Sequence, residues 1–354
     1  MLIAENRYMK SLTFSKTLLL SLIIIVPILP CFAQNSCDKS VELFPFRKGF
    51  KMGYINKQGR IVIKPQFDNA GHFSDGLAQV EVSGKFGFIN ASGRLIVKPQ
   101  FNMARDYSNG LAAVLVGDGT CELCGEWVYL DKTGSIVIRT GLKNGKQQAN
   151  EFSEGFASFR VGSMHGFMDK SGKIVIEPKF IHVTDFHEGL AGVSGGFIDQ
   201  TGKPVVDGKF SEVGIFREGL ASARIGEKWG YIDKTGQVVI DMKFDDARYF
   251  SEGFAAVKIA GKYGYTDRNG RVVIEPIFDV AQEFSEGLAS VLIAHKYGYI
   301  DQTGRVVIKP EFDVNGGNAF CNGLAEIVEC DKPNYHCKIG YIDKLGKYIW
   351  KPGR

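Results

Sequence analysis

The stretch KWGYIDKTGQVVI, residues 228–240, decides the fold. It holds two short strands, WGYID and QVVI, joined by the turn KTG. Asp233 is placed to cap the backbone two residues on, and Gly236 supplies the positive φ that closes a short hairpin. Nearly the same words return as GYTDRNGRVVI at 264–274 and GYIDQTGRVVI at 298–308. Aligned on the glycine before the aromatic, the series runs Gly53, Gly87, Gly166, Gly196, Gly230, Gly264, Gly298 and Gly340, with Val128 in that place once. The turn glycine is present in every copy.

Each unit contains more than this hairpin. A strand such as LASARI, beginning at Leu220, precedes it. The last strand is short and β-branched, as in Val238-Val239-Ile240, and suits a pleated surface. In five units it meets a proline (Pro65, Pro99, Pro178, Pro276, Pro310), where a ladder donor is missing and the strand is predicted to end. A linker follows with two aromatics at near-fixed spacing, such as Phe244 and Phe250, read as wedges between neighbouring units. An acidic or amide residue plus glycine, such as Glu252-Gly253, then makes another turn.

From Val41 to Trp350 the chain counts about nine three-stranded antiparallel meanders joined by eight linkers. A lone meander buries too little apolar surface to be stable, so neighbours must stack. The expected fold is all-β, a ring resembling a β-propeller, with an open β-solenoid as the alternative. No window sustains a helical period.

These residues carry a resemblance. KWGYIDKTGQVVI, with Phe244, Phe250 and SEGFAAV after it, resembles the WG repeat, found in tandem arrays chiefly in bacterial proteins. The resemblance implies a β-rich scaffold and, for most members, no established activity. Only Trp229 keeps the name-giving tryptophan before glycine; Met52, Phe86, His165, Gly195, Tyr263, Tyr297 and Ile339 precede the glycine elsewhere. No special role is therefore carried over to it.

Composition fits a folded protein: 354 residues, 44% apolar, 23% charged, with 43 glycines, well above the usual share of about 7%. Residues 1–33 read as a secretory signal peptide: Arg7, Lys10 and Lys16, an apolar run from Thr17 to Leu29, then Cys31-Phe32-Ala33. The run is shorter than the roughly 20 residues of a membrane span, and Pro30 before Cys31 argues against acylation there. Met9 makes the tidier start. Residues 34–354 form the WG-repeat β domain, expected to be secreted or periplasmic and without stable membrane insertion once the signal is removed. That domain holds 40 basic and 38 acidic side chains, a balance that calls for no nucleic acid.

Six cysteines remain after the signal: Cys37, Cys121, Cys124, Cys321, Cys330 and Cys337. An even number in an exported chain points to disulfides. Cys121 with Cys124, and Cys330 with Cys337, fall in insertions between first and second strands, where each pair would staple its own loop. Cys37 and Cys321 precede the first strands of the first and last units, and a bond between them would require a ring. Cys321 has Cys330 and Cys337 as alternative partners. The competing readings of Cys121-x-x-Cys124, half a zinc site or a redox dithiol, lack a second ligand pair or a βαβ context.

No catalytic pattern stands in its proper setting, and the six histidines occupy different phases of the repeat. His182 and His187 flank Asp185 in one linker and are expected to be solvated there. Neither enzyme activity nor a cofactor or metal is expected. Function is placed where the unit departs from its pattern: 117–126, 140–150, 315–318 and 330–337. The expected role is an exported non-catalytic scaffold that binds a protein or cell-envelope component, with Tyr335 and His336 as candidate contacts. The alternative is a glycan or cell-wall binding module using exposed aromatics such as Trp127 and Trp350.

Overall fold

Nine small antiparallel sheets follow one another along the chain and are arranged as a nine-bladed β-propeller. The computed structural model describes residues 41–117, 121, 124–143, 147–313, 317–331 and 336–353, and no helix occurs among them. Blades 1 to 9 span 43–67, 69–101, 103–143, 147–180, 190–206, 212–244, 246–278, 280–312 and 324–350. Residues 1–33, where the signal peptide is expected, and Cys37 lie outside the described residues.

Blade 6 shows how the unit folds. Ala221–Ile225 pairs with Lys228–Ile232, which pairs with Val238–Phe244. Asp233 Oδ1 accepts from the backbone N–H of Thr235 at 2.9 Å and of Gln237 at 3.0 Å, and Gly236 has φ +81°. The hairpin turn is therefore the one expected. A second constraint acts on the same glycine: a Cβ there would lie 2.8 Å from Cγ1 of Val206 in the preceding blade. Turn glycines thus let one blade seat against the last strand of its neighbour.

Two features depart from the expected unit. Six of the nine sheets have a fourth strand, taken from the start of the linker and paired with the first strand of the next blade, as Asp246–Ala247 pairs with Lys258 and Val257. The third strand also does not stop at its proline. Ile61–Phe67 runs through Pro65, and the ladder shifts register between Met52↔Phe67 and Tyr54↔Ile63. This strand is the outer edge of its sheet, and the shift marks a bulge, so the missing N–H of proline breaks no ladder. The bulge folds backbone over the glycine that precedes the aromatic. A Cβ on Gly53 would lie 2.4 Å from Ile63 O, which explains that second repeated glycine.

Blades are stitched by a recurring set of contacts. The aromatics pack between blades as expected: Tyr231 lies 4.7 Å from Phe250, and Tyr265 4.8 Å from Phe284, centroid to centroid. Each such tyrosine is fully buried and donates to a carbonyl of the next blade's inner segment: Tyr54 to Gly71, Tyr231 to Arg248, Tyr265 to Gln282. A buried hydroxyl left unpaired would be costly, so each bond fixes the angle between blades. Serine after the second aromatic adds another link, as Ser251 Oγ donates to Phe284 O at 2.7 Å.

The ring closes between blades 9 and 1. Phe44, Phe46 and Ile55 share a buried cluster with Leu324 and Tyr341. A Cβ on Gly59 would meet Ile349 O at 2.5 Å, repeating the glycine contact of the other junctions. Packing thus joins the last blade to the first.

Candidate functional site

The linker that supplies the innermost strand also decides what faces the axis. Its second aromatic (Phe73, Tyr107, Phe152, Phe186, Phe216, Phe250, Phe284, Phe320) is buried in every copy. The residue just before it is never settled: in blades 2 to 9 it is His72, Asp106, Glu151, Asp185, Ile215, Tyr249, Glu283 and Ala319. All but Ala319 are half-buried. Repeat packing dictates the aromatic and leaves its neighbour free, and that free position has been filled mainly with ionisable groups.

These groups form an electrostatic chain round the ring. His72 feels Glu326 and Asp106; Glu151 feels Asp106 and Asp185; His187 feels Arg217 and Asp185; Tyr249 feels Glu283 and Arg217. Burial pushes the Asp106 carboxyl up, and His72, Gln79 and Arg105 only partly offset it. Burial likewise raises Glu151, with the Asp106 and Asp185 charges adding to the effect. Asp185 is raised by burial against opposing contributions from Ser158 and His187. Three carboxylates at the same position of consecutive blades therefore lack full compensation.

Arg105 offsets part of the rise at all three carboxylates and is also held by other groups. Arg105 Nε donates to Ala149 O at 3.0 Å, and its guanidinium carbon lies 5.8 Å from the centre of the Trp127 ring. On the other side, Arg248 Nη1 donates to Gln282 Oε1 at 3.0 Å and lies 3.5 Å from Glu283 Oε1. Asp106 Oδ1, Arg217 Nε and Arg248 Nε are buried atoms without a hydrogen-bond partner.

His72 has a partner beyond the adjacent blade, on the far side of blade 1. Its Nε2 lies 3.1 Å from Glu326 Oε2. Its side chain keeps 41% of its surface exposed. Glu326 also accepts from Tyr341 at 3.0 Å and from Asn318 Nδ2 at 3.3 Å.

The residues singled out from sequence fare differently. Trp127 is buried, 3% exposed, in the core of blades 3 and 4, so it presents no exposed face to a glycan; its indole covers apolar neighbours and Arg105. Trp350 is half-buried and packs edge-on against Phe46 at 4.5 Å. Tyr335 lies outside the described residues, and His336 is placed by strand register opposite Asp331. Cys121 and Cys124 form a disulfide, Cα atoms 4.9 Å apart. Cys321 and Cys337 are each engaged in a disulfide bond, and Cys330 is the residue opposite Cys337 in strand register. The segment 140–150 is not a free linker: 136–143 and 147–153 are strands. His182 is exposed and His187 half-buried. Among the described residues no three His, Cys, Asp or Glu side chains are grouped to hold a metal.

The axis cluster escapes sequence reasoning because its members are far apart in the chain and each sits in a linker expected to be structural. One signal is available: ionisable residues recur immediately before the second aromatic, and they differ in kind from unit to unit.

Comparison with known proteins places the fold first. A eukaryotic initiation factor superposes with a TM-score of 0.59 at 12% identity, covering 88% of this chain and 95% of the other. Apo AztD from Citrobacter koseri matches at a TM-score of 0.42 and 13% identity, covering 78% and 95%. Kluyveromyces lactis Hsv2p matches at 0.40 and 12%, covering 78% and 97%. None of the curated proteins matches the chain. The sequence profile of the WG containing repeat matches at 52–86, 86–119, 166–194, 196–229, 229–263, 263–294 and 297–325. With seven matched repeats, each running from the second strand of one blade into the next blade, the chain belongs to the WG repeat family.

Proposed function

We propose that this chain is an exported, non-catalytic scaffold that binds a protein of the cell envelope, and that the axis-facing residues take a basic segment of that partner. The observation that carries the reading is the series Asp106, Glu151, Asp185: equivalent positions of adjacent blades, half-buried, each carboxyl raised by burial, with the Arg105 guanidinium offsetting only part of the rise. Charges held at a cost to folding are more often kept for binding than for stability. A lysine or arginine side chain is the natural complement.

A short oligolysine peptide titrated into the purified chain by calorimetry tests this. Binding should weaken as salt rises and fall at least about tenfold in Asp106→Asn/Glu151→Gln/Asp185→Asn, a loss of about 1.4 kcal/mol. Equal binding by the triple variant would remove the reading.

A further inference from the structure

The seam between the last and first blades is not built like the other junctions. Elsewhere the strand-two tyrosine donates to the inner segment of the next blade. At the seam Tyr341 OH lies 2.7 Å from Pro45 O, in the first strand of blade 1, and 3.0 Å from Glu326 Oε2. Its one proton serves two acceptors. Glu326 in turn reaches His72, which belongs to blade 2. The pair thus ties blade 9 to blade 2 past blade 1, whereas the other inter-blade hydrogen bonds among the described residues join adjacent blades. At the equivalent place in the first strand, blades 3 to 8 carry Ala113, Ser158, Gly192, Ser222, Ala256 and Ser290, blade 1 Pro45 and blade 2 Gln79, so a carboxylate is peculiar to blade 9.

We propose that the His72–Glu326 pair is a pH-sensitive clasp that secures blade 1 between its neighbours and loosens the seam when either partner loses its charge. Facing the pair are Asp106 from blade 3, Tyr299 from blade 8, and Tyr341 with Asn318 from blade 9, while Tyr54 from blade 1 faces Tyr341. Burial alone would lower His72, but Glu326 and Asp106 together raise it. Burial alone would raise Glu326, but His72, Tyr341 and Asn318 hold it below its ordinary value.

The two signs define a window. The raised histidine contributes in full below its unfolded value of about 6.5, and that contribution is lost as pH rises through the folded value. The lowered glutamate contributes in full above about 4.3 and is lost as pH falls through its folded value. The clasp is complete between these limits. Acid opens it further than base, because neutral imidazole still donates a hydrogen bond to the carboxylate while a protonated carboxyl leaves the imidazolium unpaired.

Hydrogen exchange of the full chain, corrected for intrinsic rates and followed from about pH 3 to about pH 8, is the test. The seam strands Leu43–Lys48 and Leu324–Asp331 should lose about tenfold protection toward acid relative to Ala255–Ile259 in blade 7. Glu326→Gln should flatten that relative profile, and His72→Gln, which keeps hydrogen-bonding capacity without the charge, should flatten it too. Seam and blade 7 strands losing protection in step, or either variant keeping the wild-type profile, would overturn the clasp. If one variant fails to fold, the other decides.

Discussion

Tyr341 OH and Pro45 O, 296 residues apart in sequence, lie 2.7 Å apart in a fully buried site, and this bond joins the end of the chain to its beginning. Replacing Tyr341 with phenylalanine leaves a buried carbonyl without its donor, which costs about 1–3 kcal/mol. Tyr265→Phe, which loses the bond to Gln282 O at an interior junction, should cost a similar amount. Urea unfolding followed by tryptophan fluorescence compares them. A seam variant that is neutral while the interior one destabilises would show that closure contributes little.

Two turn glycines separate backbone strain from inter-blade contact. Gly287 has φ +86° and open space where a methyl group would stand, whereas Gly270 has φ +78° and would place Cβ 2.7 Å from Ile240 Cγ2. Gly287→Ala should cost about 1 kcal/mol for the left-handed backbone alone. Gly270→Ala should cost appreciably more, because Ile240 must move. Equal midpoints in thermal unfolding would mean that the blades yield easily.

The Glu151 carboxyl is raised by burial and by the neighbouring Asp106 and Asp185 charges. A raised carboxyl contributes fully below its unfolded value and loses that contribution as pH rises through the folded one. At neutral pH its ionised form therefore opposes folding. Glu151→Gln should unfold at a higher temperature than wild type at about pH 7, with the advantage shrinking below about pH 4. A variant less stable than wild type at neutral pH would contradict the sign.

The disulfide between Cys121 and Cys124 spans a separation of only three residues. Closing so short a loop restricts the unfolded chain little, about 2 kcal/mol at most in the chain-entropy account. Cys121→Ser/Cys124→Ser should therefore remain folded with a modest loss in denaturant midpoint. Collapse of the fold would assign this loop a larger part in holding blade 3 together.

Much of the architecture is legible because a repeat states its packing rules many times. Asp233 and Gly236 disclose their turn, and Phe244 and Phe250 their place between blades. Pro65 misleads because its missing donor has a different meaning in a bulged outer edge than in a paired strand. The Glu252-Gly253 turn can be read from the chain, but not that Glu252 Oε2 accepts from Gly287 N in the next blade at 2.9 Å. His72 and Glu326 are invisible as a pair: their meeting depends on closure, which brings blades 2 and 9 to either side of blade 1. Comparing units shows what they share, and the axis cluster is made of what they do not.

The glycine-to-isoleucine contact recurs where Gly59 meets Ile349, so the join between the chain's ends uses the same fitting as the joins inside it. An open stack could gain or lose a repeat at its end and keep every remaining interface. A ring has no spare end: duplication or deletion of one unit alters the turn required at all nine interfaces at once. The number of units is thus held by geometry, and lineages of this protein are expected to vary in their loops far more readily than in their count.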